Sequence, residues 1–418
     1  MKIDERGRGK YRPLKRYDSE KVKQLLLEKI TEEEESIKNI PDAQTTPELE
    51  YKMDKINVVS LFTGCGGLDL GVELAGLAAV IGERRALEAF SKKDSFNALR
   101  EESIFHTVYS NDLFKEANES YRLNFLPTFQ HETDIKKIKN FPKADLVIGG
   151  FPCPGFSSAG PRLIDDERNF LYIHFIRCLI QANPVAFIAE NVKGMLTLGN
   201  GEVLNQIIQD FSSAGYRVNY KLVNSRDYGV PQLRERVFIV GIRNDINYEF
   251  EFPETTHGED KKPYITLKEA IGDLEKNPGP WYKGGFSPIY LSRNRKKQWS
   301  DQSYTIQASG RQAPLHPSGP PMTKVDRDKW KLPGEQSLHR RLSVKEIARI
   351  QTFPDWFRFS GGNNNDSQNN GHLNKQYQQI GNAVPVLLAK AIALPLASAA
   401  KKRIDSLKKN GSVDRSNF

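Results

Sequence analysis

Residues 56–76 read INVVSLFTGCGGLDLGVELAG, and this stretch decides the fold. A short β-branched, apolar run, INVVSLF, is the pattern of a strand, and it passes directly into a glycine-rich turn and a helical pattern. Gly64, Gly66 and Gly67 therefore fall at the carboxyl end of a first strand, where open α/β sheets bind ligands. Residues without a Cβ let a ligand approach the backbone. Asp69 stands where the dinucleotide pattern GxGxxG has its third glycine, which argues against a pyrophosphate and for a nucleoside cofactor without one.

Working outward, ADLVIGG (144–150), AFIAEN (186–191), RVNYKLV (217–223) and RVFIVGI (236–242) alternate with helical patterns. That rhythm predicts an α/β fold with a mostly parallel sheet. Residues 1–54 are a charged N-terminal extension, read as an appended arm of one helix, and residues 55–252 form the catalytic and cofactor-binding domain. Pro, Gly and polar stretches over 253–338 indicate a second, smaller domain. Amphipathic pattern returns over 339–400, where QIGNAVPVLLAKAIALPLASAA reads as one helix packing back onto the first domain, before a basic tail at 401–418.

The chain has 418 residues, with 61 Lys plus Arg against 52 Asp plus Glu, a net charge of +9 that suits a polyanionic partner. Three cysteines without a CxxC or a nearby His pair offer neither a disulfide framework nor a zinc site, so no metal is expected. With no run of 18 apolar residues and a charged start, neither a membrane span nor a signal peptide is expected, and the reading is of an intracellular, cytoplasmic protein.

Cys153 follows the strand ADLVIGG between two prolines, ahead of a Gly/Ser loop. A cysteine held at a strand's carboxyl end acts as a nucleophile when positive neighbours favour its thiolate; Arg162, Arg234 and Arg236 are the candidates. Cys178 reads as core packing and Cys65 as structural. Glu190 and Asn191 end an apolar strand, and a carboxyl group desolvated there holds a proton more firmly. Arg234 and Arg236, preceded by Gln232, share a strand face by the two-residue period. A ribose-binding acid belongs at the end of the second strand, and spacing alone selects Glu83 over Asp112, with ERRALEAFSKKDSFNALREESIFH between them as an inserted helix. Asp134 reads on its own as a helix N-cap.

Taken in order, FTGCGGLDLG, PCPGFS, ENVKGM, DYGVPQLRERVFIVG, RRLSVKEIARIQTFPD and QIGNAVP resemble the motif set of the DNA cytosine-5 methyltransferases over residues 56–396. The resemblance implies a Rossmann-like S-adenosylmethionine domain with a small target-recognition domain, acting on double-stranded DNA. It makes Cys153 the nucleophile toward C6 of a flipped cytosine, Glu190 the holder of N3 and the amino group, and Arg236 the ligand of O2. Ser157, Asn191 and Arg234 match positions that support this pocket. For the cofactor it implies Phe62, Gly64, Gly66 and Gly67 around methionine and adenine, and it overrules spacing by giving the ribose to Asp112. Leu113 would lie against adenine, Asp134 and Ile135 at its edge, and Pro152, Leu171 and Asn382 around the pocket. Pro154 departs from the commoner glutamine after the cysteine.

In the variable domain, YLSRNRKKQW and SYTIQASGRQAPLHP carry Arg293, Arg295 and Arg311. Arginine is the commonest bidentate reader of guanine, so these three are expected to read bases, while Lys296 and Lys297 are assigned to phosphates or a solvated loop. Both strings resemble the recognition domain of the branch that methylates GGCC. The implied setting is a monomer paired with a restriction endonuclease. Two rival readings are a tRNA cytosine-5 methyltransferase and a catalytically inactive DNA-binding protein.

Overall fold

The computed structural model describes residues 17–152, 170–362 and 369–409; Cys153, Ser157 and Arg162 lie outside them. The amino-terminal half runs α1 (Ser19–Lys38), β1 (Ile56–Leu61), α2 (Gly67–Ile81), α3 (Glu83–Phe90), α4 (Lys93–Leu99), β2 (Phe105–Asn111), α5 (Lys115–Asn124), β3 (Phe129–His131) and β4 (Leu146–Gly149). Then follow α6 (Phe170–Ala182), β5 (Ala186–Val192), α7 (Glu202–Ser213), β6 (Tyr216–Asn224), β7 (Gln232–Leu233) and β8 (Glu235–Arg243). The remainder holds α8 (Leu267–Ile271), β9 (Ser303–Tyr304), β10 (Thr323–Asp326), β11 (Lys329–Lys331), α9 (Val344–Ile350), α10 (Asn370–Asn382) and α11 (Val386–Lys409).

Seven strands form one sheet in the order β3-β2-β1-β4-β5-β8-β6. β8 runs antiparallel to both β5 and β6, and the pairings among the other strands are parallel. The fold is the mostly parallel, Rossmann-like sheet. Alternation along the strands feeds two apolar layers: Val59, Val147 and Phe187 face α6 and α7, whereas Val58, Ile148 and Ile188 face α2 and α11. Strand order reverses between β1 and β4, which places a ligand crevice at their carboxyl ends.

Four local expectations change. The segment between Glu83 and Asp112 is two short helices, α3 and α4, not one. The return segment also breaks in two, because Pro385 lacks an N–H and restricts Val384 before it; the Val386 N–H instead reaches Gln351 O at 3.1 Å. The stretch Asn370–Asp405, spanning α10 and α11, is long and apolar enough by composition to cross a membrane, yet Leu388, Ala389, Ile392 and Ala393 of α11 are buried against the sheet and α2. α11 continues to Lys409, into the stretch read as a tail. Finally, α1 is docked rather than appended: Leu26 and Ile30 are buried in the layer that holds Ile135, Ile138 and Phe141.

The variable segment is not self-contained. Leu267, Ile271 and Ile306 are buried with Leu70, Leu74 and Ile347 of the main body. Its outer part has a small core of its own around Tyr290, Leu315 and Met322.

Candidate active site

The carboxyl ends of β1, β2, β4 and β5 open onto one cleft of about 620 Å³. On one side the turn after β1 carries Phe62 at φ 54°, Gly64 at φ 57° and Gly66 at φ 88°. Gly66 cannot be replaced without strain, because its backbone is left-handed and an added Cβ would collide with the Phe125 ring. Asp112 fastens this turn: its carboxylate accepts from Gly64 N–H and Phe114 N–H, each at 2.7 Å. Burial raises that carboxyl above its ordinary value, and the backbone N–H groups oppose only part of the rise. A carboxylate has about four acceptor positions, so these backbone donors leave acceptor capacity for a hydroxyl group in the cleft.

Leu113 stands exposed at the rim, and Ile135, Pro152, Leu171 and Asn382 line the wall. Asp134 also lines it and caps a turn of 3₁₀ helix through Lys136 N–H at 3.0 Å, so the N-cap geometry expected from sequence is present at the cleft edge. Glu83, the acid chosen by spacing, pairs instead with Lys390 of α11 and is absent from the cleft wall.

On the other side, Glu190 and Arg236 meet. Arg236 Nε lies 2.8 Å from Glu190 Oε1, with both side chains nearly buried. Burial raises the Glu190 carboxyl, while Arg236 and then Arg234 oppose the rise. Gly150 makes room for this carboxylate, since a Cβ there would sit 3.1 Å from Oε2. Asn191 Nδ2 donates to Phe151 O at 2.9 Å and its Oδ1 accepts from Val192 N–H at 2.8 Å, which brings the chain just before Cys153 to the cleft.

Arg234 lines the same cleft, but its guanidinium is a clamp. It donates to Ile306 O at 3.2 Å and to Gly381 O and Ala383 O at 3.0 Å each, and burial lowers its pKa to about 9. The two arginines thus share a wall without sharing a task. Gln232 completes the joint, donating to Gln351 Oε1 and accepting from Ile306 N–H, both at 2.8 Å. Sequence reasoning passed over Gln351; its burial depends on partners far away in the chain. Cys65 and Cys178 are buried, and burial pushes both thiols up.

Arg293 and Arg311 are not buried. Arg295 departs from the open base reader expected: it is 5% exposed, donates to Tyr290 O at 3.1 Å and Gln312 Oε1 at 2.7 Å, and lies over the Tyr290 ring. Lys296 is also not a solvated lysine; it is buried, donates to Ser318 O at 2.5 Å, and has its pKa lowered to about 8 by that burial. Among the described residues no cluster of three or more His, Cys, Asp or Glu could hold a metal.

A Rossmann-like sheet with a nucleoside-sized cleft and a buried carboxyl–guanidinium pair beside it defines a group-transfer enzyme. Residues 56–397 match the family of C-5 cytosine-specific DNA methylases, and the chain belongs to that family. It is 62% identical over 419 residues to the Type II methyltransferase M.BsuRI of Bacillus subtilis, covering 99% of this chain and 96% of that protein. It is 61% identical to M.BspRI of Lysinibacillus sphaericus over 98% of this chain and 97% of that one. In fold it resembles a Spodoptera frugiperda DNMT2 variant, with a TM-score of 0.55, 18% identity, and coverage of 84% of this chain and 100% of that one. The protein is a Type II DNA cytosine-5 methyltransferase of the restriction–modification kind.

Proposed function

We propose that this enzyme methylates one cytosine of GGCC in double-stranded DNA, works as a monomer in the bacterial cytoplasm, and protects the DNA from a companion endonuclease. The observation that carries the chemistry is the Glu190–Arg236 pair at the cleft. The glycine turn and the spare acceptor capacity of Asp112 suit the nucleoside of S-adenosylmethionine, which supplies an electrophilic methyl group on its sulfonium. Phe62, Leu113 and Ile135 would flank its adenine, and Asp134, Pro152, Leu171 and Asn382 would close the wall.

The base must leave the stack to reach the cleft, at a cost of a few kcal/mol. The Cys153 thiolate then forms a bond to C6 as the C5–C6 π pair moves to C5. Glu190, its proton affinity raised by burial, holds N3 and the amino group, and Arg236 holds O2, so charge developing on the ring meets fixed partners. C5 would take the methyl group as its bond to the sulfonium breaks and that pair stays on the departing neutral thioether; the C5 proton would then leave to a base, and its electron pair would return to expel the Cys153 thiolate. Arg293 and Arg311 would read guanines, with Arg295 beside them.

Support for GGCC rests on the SRNR and QASGR strings. Bisulfite sequencing of plasmid from a bacterial host producing the chain tests it. Protection confined to one position of GGCC is expected, and protection at another motif would reject the reading of the arginines.

A further inference from the structure

β10 and β11 form a two-stranded antiparallel ribbon on the outer part of the recognition domain, pairing Thr323 with Lys331, Lys324 with Trp330 and Asp326 with Lys329. Every residue of both strands is exposed except Trp330, which packs against the small core of Tyr290, Leu315 and Met322. Over residues 323–331, TKVDRDKWK, four cations (Lys324, Arg327, Lys329 and Lys331) stand against two acids, Asp326 and Asp328. None of the four makes an ion pair among the described residues.

Two facts join this ribbon to DNA. The enzyme's substrate is a polyanion, and exposed lysines and arginines bind phosphates without regard to sequence. The ribbon is also seated on the Tyr290–Ser292 turn, the residues directly before Arg293. A duplex read by Arg293 would pass within reach of these cations.

We propose that the 323–331 ribbon is a phosphate clamp that grips the duplex beside the recognised bases and contributes affinity but no base specificity. It rests on the reading of Arg293 as a base contact, and Trp330 is its anchor. Its charged heads hold nothing in the fold, so neutralising them leaves the core untouched.

The test uses the full chain as K324Q/R327Q/K329Q/K331Q, with a second variant, D326N/D328N, that shifts the charge the other way. Affinity is measured for a GGCC duplex and a scrambled duplex over a salt series. Neutralisation is expected to weaken both duplexes by the same factor, roughly 10- to 100-fold near 0.15 M salt, and to reduce the salt slope by about 0.9 for each phosphate that the ribbon no longer neutralises. The acid-removing variant is expected to tighten both. Cofactor affinity and the pattern of methylated sites should not change. An unchanged slope, or a weakening confined to the GGCC duplex, overturns the proposal. If methylation falls at a site other than GGCC while the slope still drops, the GGCC reading fails and the clamp stands.

Discussion

Arg236 Nε and Glu190 Oε1 lie 2.8 Å apart across adjacent antiparallel strands. The register sets Arg236 opposite Val192 and Glu190 opposite Phe238, so the two are diagonal neighbours on one face, within reach of long side chains. Each holds the other at the cleft, and neither is free to turn away. Glu190→Gln keeps the size and removes the acid; single-turnover methyl transfer should fall on the order of 10²- to 10⁴-fold. Duplex affinity, measured in parallel, should stay within a few-fold of wild type.

Gly150→Ala probes the same carboxylate from its other side. A Cβ 3.1 Å from Glu190 Oε2 must displace it by a few tenths of an ångström. A small misplacement of a reacting group costs up to about 10²-fold, so the rate should drop roughly tenfold or more. Cofactor affinity by calorimetry should be unaltered; a wild-type rate would show that Glu190 tolerates movement.

Arg234→Lys tests the clamp. A lysine cannot serve Ile306 O, Gly381 O and Ala383 O together, and leaving buried carbonyls without donors costs about 1–3 kcal/mol each. Denaturant unfolding should show a loss of roughly 2–4 kcal/mol. A loss of activity at full stability would assign Arg234 to the chemistry instead.

Asp69 predicts a pH dependence. It is buried on the first turn of α2, accepts from the Tyr121 hydroxyl at 3.2 Å, and burial pushes its carboxyl up to about 7. Around it, the Ser60 and Tyr121 hydroxyls favour the anion, and Glu73, itself paired with Arg100, opposes it. Because the folded value lies above the usual one near 3.9, the stabilisation is whole below about pH 4 and is lost as pH rises to about 7. Asp69→Asn should flatten this slope, gaining on wild type by about 2–4 kcal/mol between those limits. Thermal unfolding across that range checks it; parallel curves would contradict it.

Ile30→Ala addresses α1, which lies before the family's matched region. Ile30 is buried in the same layer as Ile138 and Phe141, so its truncation should destabilise the whole enzyme by about 2–5 kcal/mol. An arm hanging free would show no change by denaturation.

These residues also show what the sequence disclosed. The turn after β1, and Glu190 and Arg236 at their strand ends, were readable because strand period and a break into glycine fix which residues reach a sheet's carboxyl edge. The place of Asp112 at the cleft was not readable by spacing, since α3 and α4 push β2 away from the expected separation; only the resemblance pointed to it. Arg295 and Lys296 read as open cations because burial by Tyr290 and Ser318 comes from tertiary packing that local pattern does not carry. For α1 the signal was present and outweighed by charge: Val22, Leu26 and Ile30 recur every four residues along one helix face.

The central claim, that Cys153 attacks C6 while Glu190 and Arg236 hold the ring, is tested most directly with a GGCC duplex carrying 5-fluorocytosine at the target. Fluorine at C5 cannot leave as a proton does, so the covalent complex should persist after methyl transfer. The account predicts a one-to-one, cofactor-dependent adduct that peptide mass spectrometry maps to Cys153, and that Cys153→Ala abolishes. An adduct on Cys65 or Cys178, or methyl transfer that survives in Cys153→Ala, would contradict it.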